Sequence, residues 1–315
     1  MSSGDNVNII SPEEKDSEVQ RLTEGFLHER KVEIHGACIK LLTNVKQFYE
    51  MWTYNFKPIS EEIRPHGRIF VINDGGGLKI NYETVSKTLM IFNCDYYGLV
   101  KSLALALVAD FFEEYYSEHR RYSIHGSLID LRGHGLVIIG PPGSGKTTLT
   151  YGMLTNSNYN YVADDWFFVR VFDDGLMGFS SEQNSYIRED LAKIWPSFAK
   201  KLEEVSLDSH RRGIVDVPFL FGERRIREST YIRAIVLLER DKEDKRVFVK
   251  LDAEEAVGYT VKNDFFNPHQ LVRDSRKISI REGFFKEIYQ MLPVYLLNTV
   301  ELPADSLQHC LKIEI

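Results

Sequence analysis

The sequence predicts an α/β protein in two parts: a mixed, hairpin-rich sheet built around a strand, a glycine loop and a helix, preceded by a smaller α+β domain. Three observations predict it. Leu136-Val-Ile-Ile is an apolar run of strand length that meets the glycine-rich stretch Gly140-Pro-Pro-Gly-Ser-Gly-Lys-Thr at once. The segment Tyr122 to Leu131 enters that run through a tight Arg132-Gly-His-Gly turn, which a plain parallel sheet would not usually bring there. Residues 30–120 mix short alternating strands with one long apolar helix and show no visible chemistry.

Taken in order, residues 1–25 are polar and without periodicity and read as a flexible tail that turns helical near its end. Domains are expected at 26–120 (α+β) and 121–315 (the glycine-loop core). Lys31 to Leu42 reads as a strand, and Asn44 as the N-cap of a helix Val45–Phe56 whose aromatics Phe48, Tyr49, Trp52 and Phe56 belong to the core. Gly67 to Ile72 and Leu78 to Tyr82 alternate as strands, and Asn73-Asp-Gly-Gly-Gly between them has the signature of a hairpin turn. Thr88–Phe92 is a strand and Tyr97–Tyr116 the best helix. Ile124-His-Gly-Ser echoes Ile34-His-Gly-Ala, an echo too short to read as a duplication. Further on, residues 185–206 read as helix, Thr230 to Arg240 and Arg246 to Leu251 as strands, Ala253–Lys262 and Arg281–Leu292 as helices, and Val294 onward as a closing strand.

Composition limits what the protein can be. A chain of 315 residues, 43% hydrophobic, buries a sizeable core, and a formal net charge of −7 argues against a nucleic-acid partner. No apolar run approaches the roughly 20 residues that cross a bilayer, so no membrane association is expected. The first residues lack the basic-then-apolar order of a secretion signal, and Cys38, Cys94 and Cys310 are odd in number and far apart. A reducing cytoplasm with buried thiols is the expectation.

The chemistry lies in two stretches. Gly140, Pro141, Pro142, Gly143, Ser144, Gly145, Lys146 and Thr147 fit G-x-x-x-x-G-K-[ST], with Thr148 following. Glycines let consecutive backbone N–H groups turn inward around phosphate oxygens, and the helix starting near Lys146 adds its partial positive charge. Lys146 reaches the β- and γ-phosphates of ATP, and the Thr147 hydroxyl ligates Mg²⁺. Val162-Ala-Asp164-Asp165 then places two acids after an apolar pair: one can order the metal or its water, and the other can take a proton from an attacking hydroxyl. Asp208-Ser-His-Arg211-Arg212 packs an acid and two arginines that could face a phosphoryl group, or form a solvated loop. Arg273 and Arg276 are expected on the surface.

Three features together, His125-Gly126, the glycine loop and Val162-Ala-Asp-Asp, resemble HPr kinase/phosphorylase and its relatives, serine kinases that share a fold with phosphoenolpyruvate carboxykinase. Gly213-Ile-Val-Asp-Val resembles a later signature of that family, and the likeness spans about residues 120–240. It implies that the core has the HPr kinase/carboxykinase type of fold, that Asp165 is the catalytic base, that His125 lines the site close to it, and that Asp208 stands where the family has a metal-binding glutamate. It also implies a homo-oligomer. Pro-Pro-Gly-Ser stands where HPr kinases commonly have Glu-Ser-Gly, and His210-Arg211-Arg212 replaces their Arg-Gly pattern before Gly213. The expected activity is therefore Mg–ATP-dependent phosphoryl transfer to a hydroxyl acceptor, a serine or threonine of a protein or peptide or a small-molecule alcohol. The rival is a phosphate-loop ATPase or GTPase switch that binds a partner without phosphorylating it; carboxykinase-like chemistry ranks third.

Overall fold

A computed structural model describes residues 7–25, 27–188, 190–205, 212–264 and 270–315. The described residues fall into two compact units, one within 7–119 with 270–274 and the other within 120–264 with 275–315.

In the first unit the elements are β1 (Val7–Ile9), α1 (Pro12–Thr23), β2 (His28–Ile34), β3 (Ala37–Thr43), α2 (Lys46–Asn55), β4 (Lys57–Pro58), β5 (Gly67–Ile72), β6 (Lys79–Glu83), β7 (Thr88–Phe92), α3 (Tyr97–Glu114) and α4 (Tyr116–His119). The strands make a mixed seven-stranded sheet in the order β1-β6-β7-β5-β3-β2-β4. Three expectations fail here for physical reasons. Residues 7–23 are not a tail, although the helix expected near its end is present as α1: Ser11-Pro12-Glu13-Glu14 is a capping box, with the Glu14 N–H donating to Ser11 Oγ (3.2 Å) and the Ser11 N–H donating to Glu14 Oε2 (2.8 Å). Leu22 and Val19 of the resulting helix pack on Leu42, Phe70 and Met90. Nor do β5 and β6 form a hairpin. All five residues of β7 are buried, and a strand buried on both faces belongs inside a sheet, so β7 inserts between them, parallel to β5 and antiparallel to β6. The glycine run is held from the end of β7, where Asn93 Oδ1 accepts from the N–H groups of Asp74 and Gly75 (2.9 Å each).

Asn44 does not cap α2 either: its side chain spans to Asn73, accepting from the N–H (2.9 Å) and donating to the C=O (2.8 Å), and the helix starts at Lys46. Phe48, Trp52 and Phe56 are core residues, as expected.

The second unit contains β8 (Arg121–Ile124), β9 (Ser127–Leu131), β10 (His134–Ile139), α5 (Lys146–Leu154), β11 (Tyr159–Ala163), β12 (Phe167–Phe172), β13 (Gly175–Ser180), β14 (Asn184–Arg188), α6 (Leu191–Ile194), α7 (Ala199–Leu202), β15 (Arg212–Asp216), α8 (Val217–Phe221), β16 (Ser229–Glu239), β17 (Phe248–Leu251), α9 (Ala253–Lys262), α10 (Ser275–Met291), β18 (Val294–Asn298) and α11 (Pro303–Leu311). Its sheet runs β11-β9-β10-β16-β13-β12-β8, with β18 also paired to β16 and β17 to β18. The sheet is mixed, as predicted: β9 is antiparallel to β10 across a turn in which both Arg132 and Gly133 have positive φ (54° and 92°), the backbone of a two-residue hairpin. On the other side β16 is parallel to β10, and β18 is parallel to the last residues of β16.

Strand β10 explains why its sequence is continuously apolar. Leu136 and Ile138 face α5 and α11, while Val137 and Ile139 face α9 and α10, and none is more than 1% exposed. Each such side chain contributes about 1.5–3 kcal/mol on burial, so together they hold the register of the strand that delivers the glycine loop. The helix expected over 185–206 is broken. Its first residues form β14, which pairs with β15 (Asn184↔Asp216 to Arg188↔Arg212), and among the described residues the short α6, a 3-10 turn at Pro196–Phe198 and the short α7 follow. The three cysteines are buried and none is in a disulfide. Among the described residues no helix is long and apolar enough to cross a membrane.

Candidate functional site

The glycine loop leaves the carboxyl end of β10 and enters α5. Gly143 (φ 79°) and Gly145 (φ 97°) take the left-handed conformation that turns the chain back on itself, and Gly145 is the N-cap residue of the helix. Gly140 is excluded from bearing a side chain for a different reason: a Cβ there would lie 2.5 Å from Ser144 Oγ and 2.7 Å from Leu238 Cβ. The N–H groups of the first turn of α5 have no preceding turn to bond, so they face outward with the helix dipole behind them. Lys146 folds over the loop and donates from Nζ to the carbonyls of Gly140 (2.6 Å) and Pro141 (3.3 Å). Burial pushes its ammonium below the usual lysine range, against the pull of Asp165 and Asp164.

The acid pair follows β11, separated from β10 by β9. Asp164 is buried, and Ser127 Oγ donates to its Oδ1 (2.5 Å). The Thr147 hydroxyl also hydrogen-bonds its carboxylate, yet burial, with some help from Asp165, raises its pKa to about 6. Asp165 differs in every respect: its side chain is 49% exposed, its φ is 90°, and its carbonyl accepts from the Gly126 N–H (3.1 Å). His125 Nδ1 stands 3.7 Å from Asp165 Oδ1, and its ring meets Trp166 edge-on. Two neighbouring carboxyls thus have opposite environments, one enclosed by hydroxyls and one open to an incoming group.

The structure therefore brings together Lys146, Thr147, Asp164, Asp165 and His125. Asp208 and Arg211 lie outside the described residues, as does the side chain of Arg212, whose backbone opens β15. Arg273 and Arg276 are exposed. Sequence reasoning missed several supports. Ser127 carried a usable signal, standing one residue beyond His125-Gly126. Trp195 and the Tyr151–Ser185 pair did not: the Trp195 indole donates to the Thr148 carbonyl (2.8 Å) and Tyr151 OH donates to Ser185 Oγ (2.8 Å) across gaps no local pattern marks.

Gly126 is where the turn between β8 and β9 cannot carry a side chain, since a Cβ would meet the Ile138 carbonyl at 2.5 Å. Gly126→Ala is expected to cost about 1–3 kcal/mol and to displace Asp165 with it. Thermal denaturation of the variant checks this, and an unchanged midpoint would contradict it. The echoing pair His35-Gly36 behaves otherwise: it turns β2 into β3 as a paired hairpin, whereas β8 pairs with β12 and β9 with β10 and β11.

A family model described as the HPr Serine kinase C-terminal domain matches residues 117–279, just over half of the chain. The chain belongs to the HPr serine kinase C-terminal domain family. Relatives named HPr kinase/phosphorylase include one from Chlorobium limicola, 28% identical over 141 residues that make up 44% of this chain and 37% of that protein. Another, from Lachnoclostridium phytofermentans, is 30% identical over 145 residues, 45% of this chain and 40% of that protein. The matched stretch thus spans only about two fifths of these curated relatives' length. A solved structure, that of the Hpr(Ser) kinase/phosphatase from Coxiella burnetii, aligns at 15% identity over 60% of this chain and 93% of its own, with a TM-score of 0.35. The family match begins beside β8 and takes in the glycine loop and the acid pair, leaving the first 116 residues outside it.

Proposed function

We propose that this member of the family is a Mg–ATP-dependent kinase that transfers the γ-phosphoryl group to a hydroxyl, a serine or threonine of a protein or peptide or a small-molecule alcohol. The observation that carries the reading is the pairing of the glycine loop with two acids of opposite environment, one tied to the loop's own Thr147 and one half-open to solvent. The residues fit a triphosphate and Mg²⁺. A left-handed glycine cradle and a lysine whose Nζ rests on the loop's own carbonyls suit phosphate oxygens, and an all-oxygen set at Asp164 and Thr147 suits a hard cation. Bound there, Mg²⁺ would supply charge neutralisation between the β- and γ-phosphates.

The chain's own residues do the rest. Lys146 exchanges its loop carbonyls for β- and γ-phosphate oxygens. Ser127 holds the Asp164 carboxylate in place for the metal side. Asp165 takes the proton of the acceptor hydroxyl as its oxygen bonds to the γ-phosphorus and the bond to the β-phosphate oxygen breaks, releasing ADP. His125 orients that carboxylate from 3.7 Å. The resemblance gives Asp208 a part in metal binding, and Arg211 and Arg212 are proposed to steady the transferred group.

The test incubates the protein with Mg²⁺, γ-labelled ATP and a cell extract split into macromolecules and small molecules, with Lys146→Ala alongside. Label carried onto an acceptor by wild type alone establishes a kinase and says whether the acceptor is macromolecular. Label appearing only as free phosphate sinks the kinase reading and leaves a nucleotide-driven switch.

A further inference from the structure

The glycine loop has few supports of its own. Within it the Ser144 N–H donates to the Pro141 carbonyl (3.2 Å), and Lys146 Nζ rests on the carbonyls of Gly140 and Pro141. In the proposed reaction Lys146 leaves those carbonyls for phosphate oxygens, so its ties are given up just when the loop must keep its shape. Another tie comes from a different element. The hydroxyl of Thr299, the residue after β18, donates to the Ser144 carbonyl (2.7 Å), a buried bond between residues 155 apart in sequence.

The same Oγ1 lies 3.1 Å from the Glu239 carbonyl, but that carbonyl already accepts from the Thr299 N–H at 2.9 Å. A hydroxyl has one proton to give, and the shorter bond takes it. Thr299 is itself firmly placed. Strand β18 pairs with β16 on one side, out to Asn298↔Glu239, and with β17 on the other. Leu296 and Leu297 pack into the two cores on opposite faces of the sheet. The Asn298 side chain adds three bonds to the loop after β16, accepting from the Asp241 N–H (3.1 Å) and donating to the carbonyls of Asp241 (2.6 Å) and Asp244 (3.0 Å).

The consequence lies across one peptide bond. Among the described residues no peptide is cis, and in a trans peptide the C=O and N–H point in opposite directions. Holding the Ser144 carbonyl out toward the end of β18 therefore turns the Gly145 N–H the other way, into the loop. We infer that Thr299 is a positioning residue for phosphate binding, its hydroxyl setting the Ser144–Gly145 peptide so that the Gly145 N–H is aimed at a phosphate oxygen before the anion arrives. Such preorganisation removes an ordering cost that binding would otherwise meet. The inference rests on the kinase reading only for the presence of phosphates in the loop.

Calorimetric titration of the full chain with Mg–tripolyphosphate, below the thermal midpoint of every variant, tests it. Thr299→Val keeps the shape and loses the hydroxyl, and should bind about tenfold more weakly, the scale of one hydrogen bond to a charged group. Thr299→Ser keeps the hydroxyl and should bind as wild type does. In protein labelled with isotopic glycine, the Gly145 amide resonance should move downfield when tripolyphosphate binds wild type, and stay in place in saturated Thr299→Val. A residue that only braced the fold would shift the midpoint and leave that resonance response intact. Should Thr299→Val not fold, Thr299→Ala takes its place, and the wild-type resonance decides in either case. Affinity of the hydroxyl-free variant equal to that of wild type, an equal loss in Thr299→Ser, or an unmoved Gly145 amide in wild type would overturn the role of Thr299 and leave the phosphate reading standing. No binding of tripolyphosphate by wild type would overturn both.

Discussion

Asp165→Asn is expected to lower the turnover of phosphoryl transfer by about 10²–10⁴-fold, the range for losing a positioned general base, while ATP still binds. The substitution is clean because of the backbone. Asp165 has φ 90°, and asparagine is one of the few residues besides glycine that accepts positive φ, so the fold should be kept. Asp165→Ala lacks that tolerance and should add about 1–3 kcal/mol of strain. Asp165 is also the larger of the two acid influences on Lys146, so removing its charge takes a negative group away from the triphosphate and should leave ATP affinity equal or higher. Single-turnover transfer and equilibrium binding, measured on the same preparation, separate the two quantities. Turnover within threefold of wild type would remove Asp165 from the mechanism; joint loss of binding and transfer would make its role structural.

Asp164→Asn should do the opposite to stability and the same to activity. Burial raises the Asp164 pKa from 3.8 to about 6, so the folded protein holds this proton more tightly than the unfolded chain. The sign follows: the contribution is fully present below pH 3.8 and is lost as pH rises from there through 6, leaving a cost of about 3 kcal/mol once the carboxylate is charged in both states. Asparagine is never charged, and it keeps the acceptor for Ser127 at the price of about 1 kcal/mol in weaker hydrogen bonds. The metal-free variant should therefore be more stable than wild type by about 2 kcal/mol at pH 8, with the advantage shrinking toward pH 4. Denaturant titrations at both pH values check it. A variant less stable at pH 8 would show that the charged carboxylate is well solvated by its hydroxyl partners. In the proposed reaction the same change removes a metal-side oxygen, so a stabilised protein that no longer transfers phosphate is the expected outcome, as for a site whose charge is kept for function.

Much of the site was legible because its chemistry is written in contiguous residues. Gly140 to Thr147 needs no partner to be recognised, since only glycines at those spacings give the left-handed turns and the side-chain-free approach now seen at Gly140, Gly143 and Gly145. Asp164 and Asp165 were equally plain, but the sequence could not say which of them is buried. That follows from where β11 lies: its neighbour β9 brings Ser127 to Asp164 across 37 residues and leaves Asp165 on the far side of a positive-φ turn.

The first unit shows the same division. Alternation found β5, β6 and β7 as strands, and the glycine run between β5 and β6 looked like a hairpin turn because turn chemistry is local. Which strand lies at the centre is settled by burial on both faces, a property of the whole sheet, and β7 took that place. The α1 capping box, by contrast, is local: Ser11-Pro12-Glu13-Glu14 has the spacing of one within a segment whose polarity resembles that of a tail.

By itself, then, the sequence determined the glycine loop, the acid pair, the hairpin feeding β10 and the long buried α3, each fixed by backbone conformational preference or by apolar runs within one segment. The tertiary structure alone decided the strand order, the unequal burial of two adjacent carboxyls, and the bond from Thr299 to Ser144 that ties the last strand to the loop. Those depend on pairings between residues tens to hundreds of positions apart, where the cost of leaving a buried polar group without a partner, and not any local preference, selects the contact.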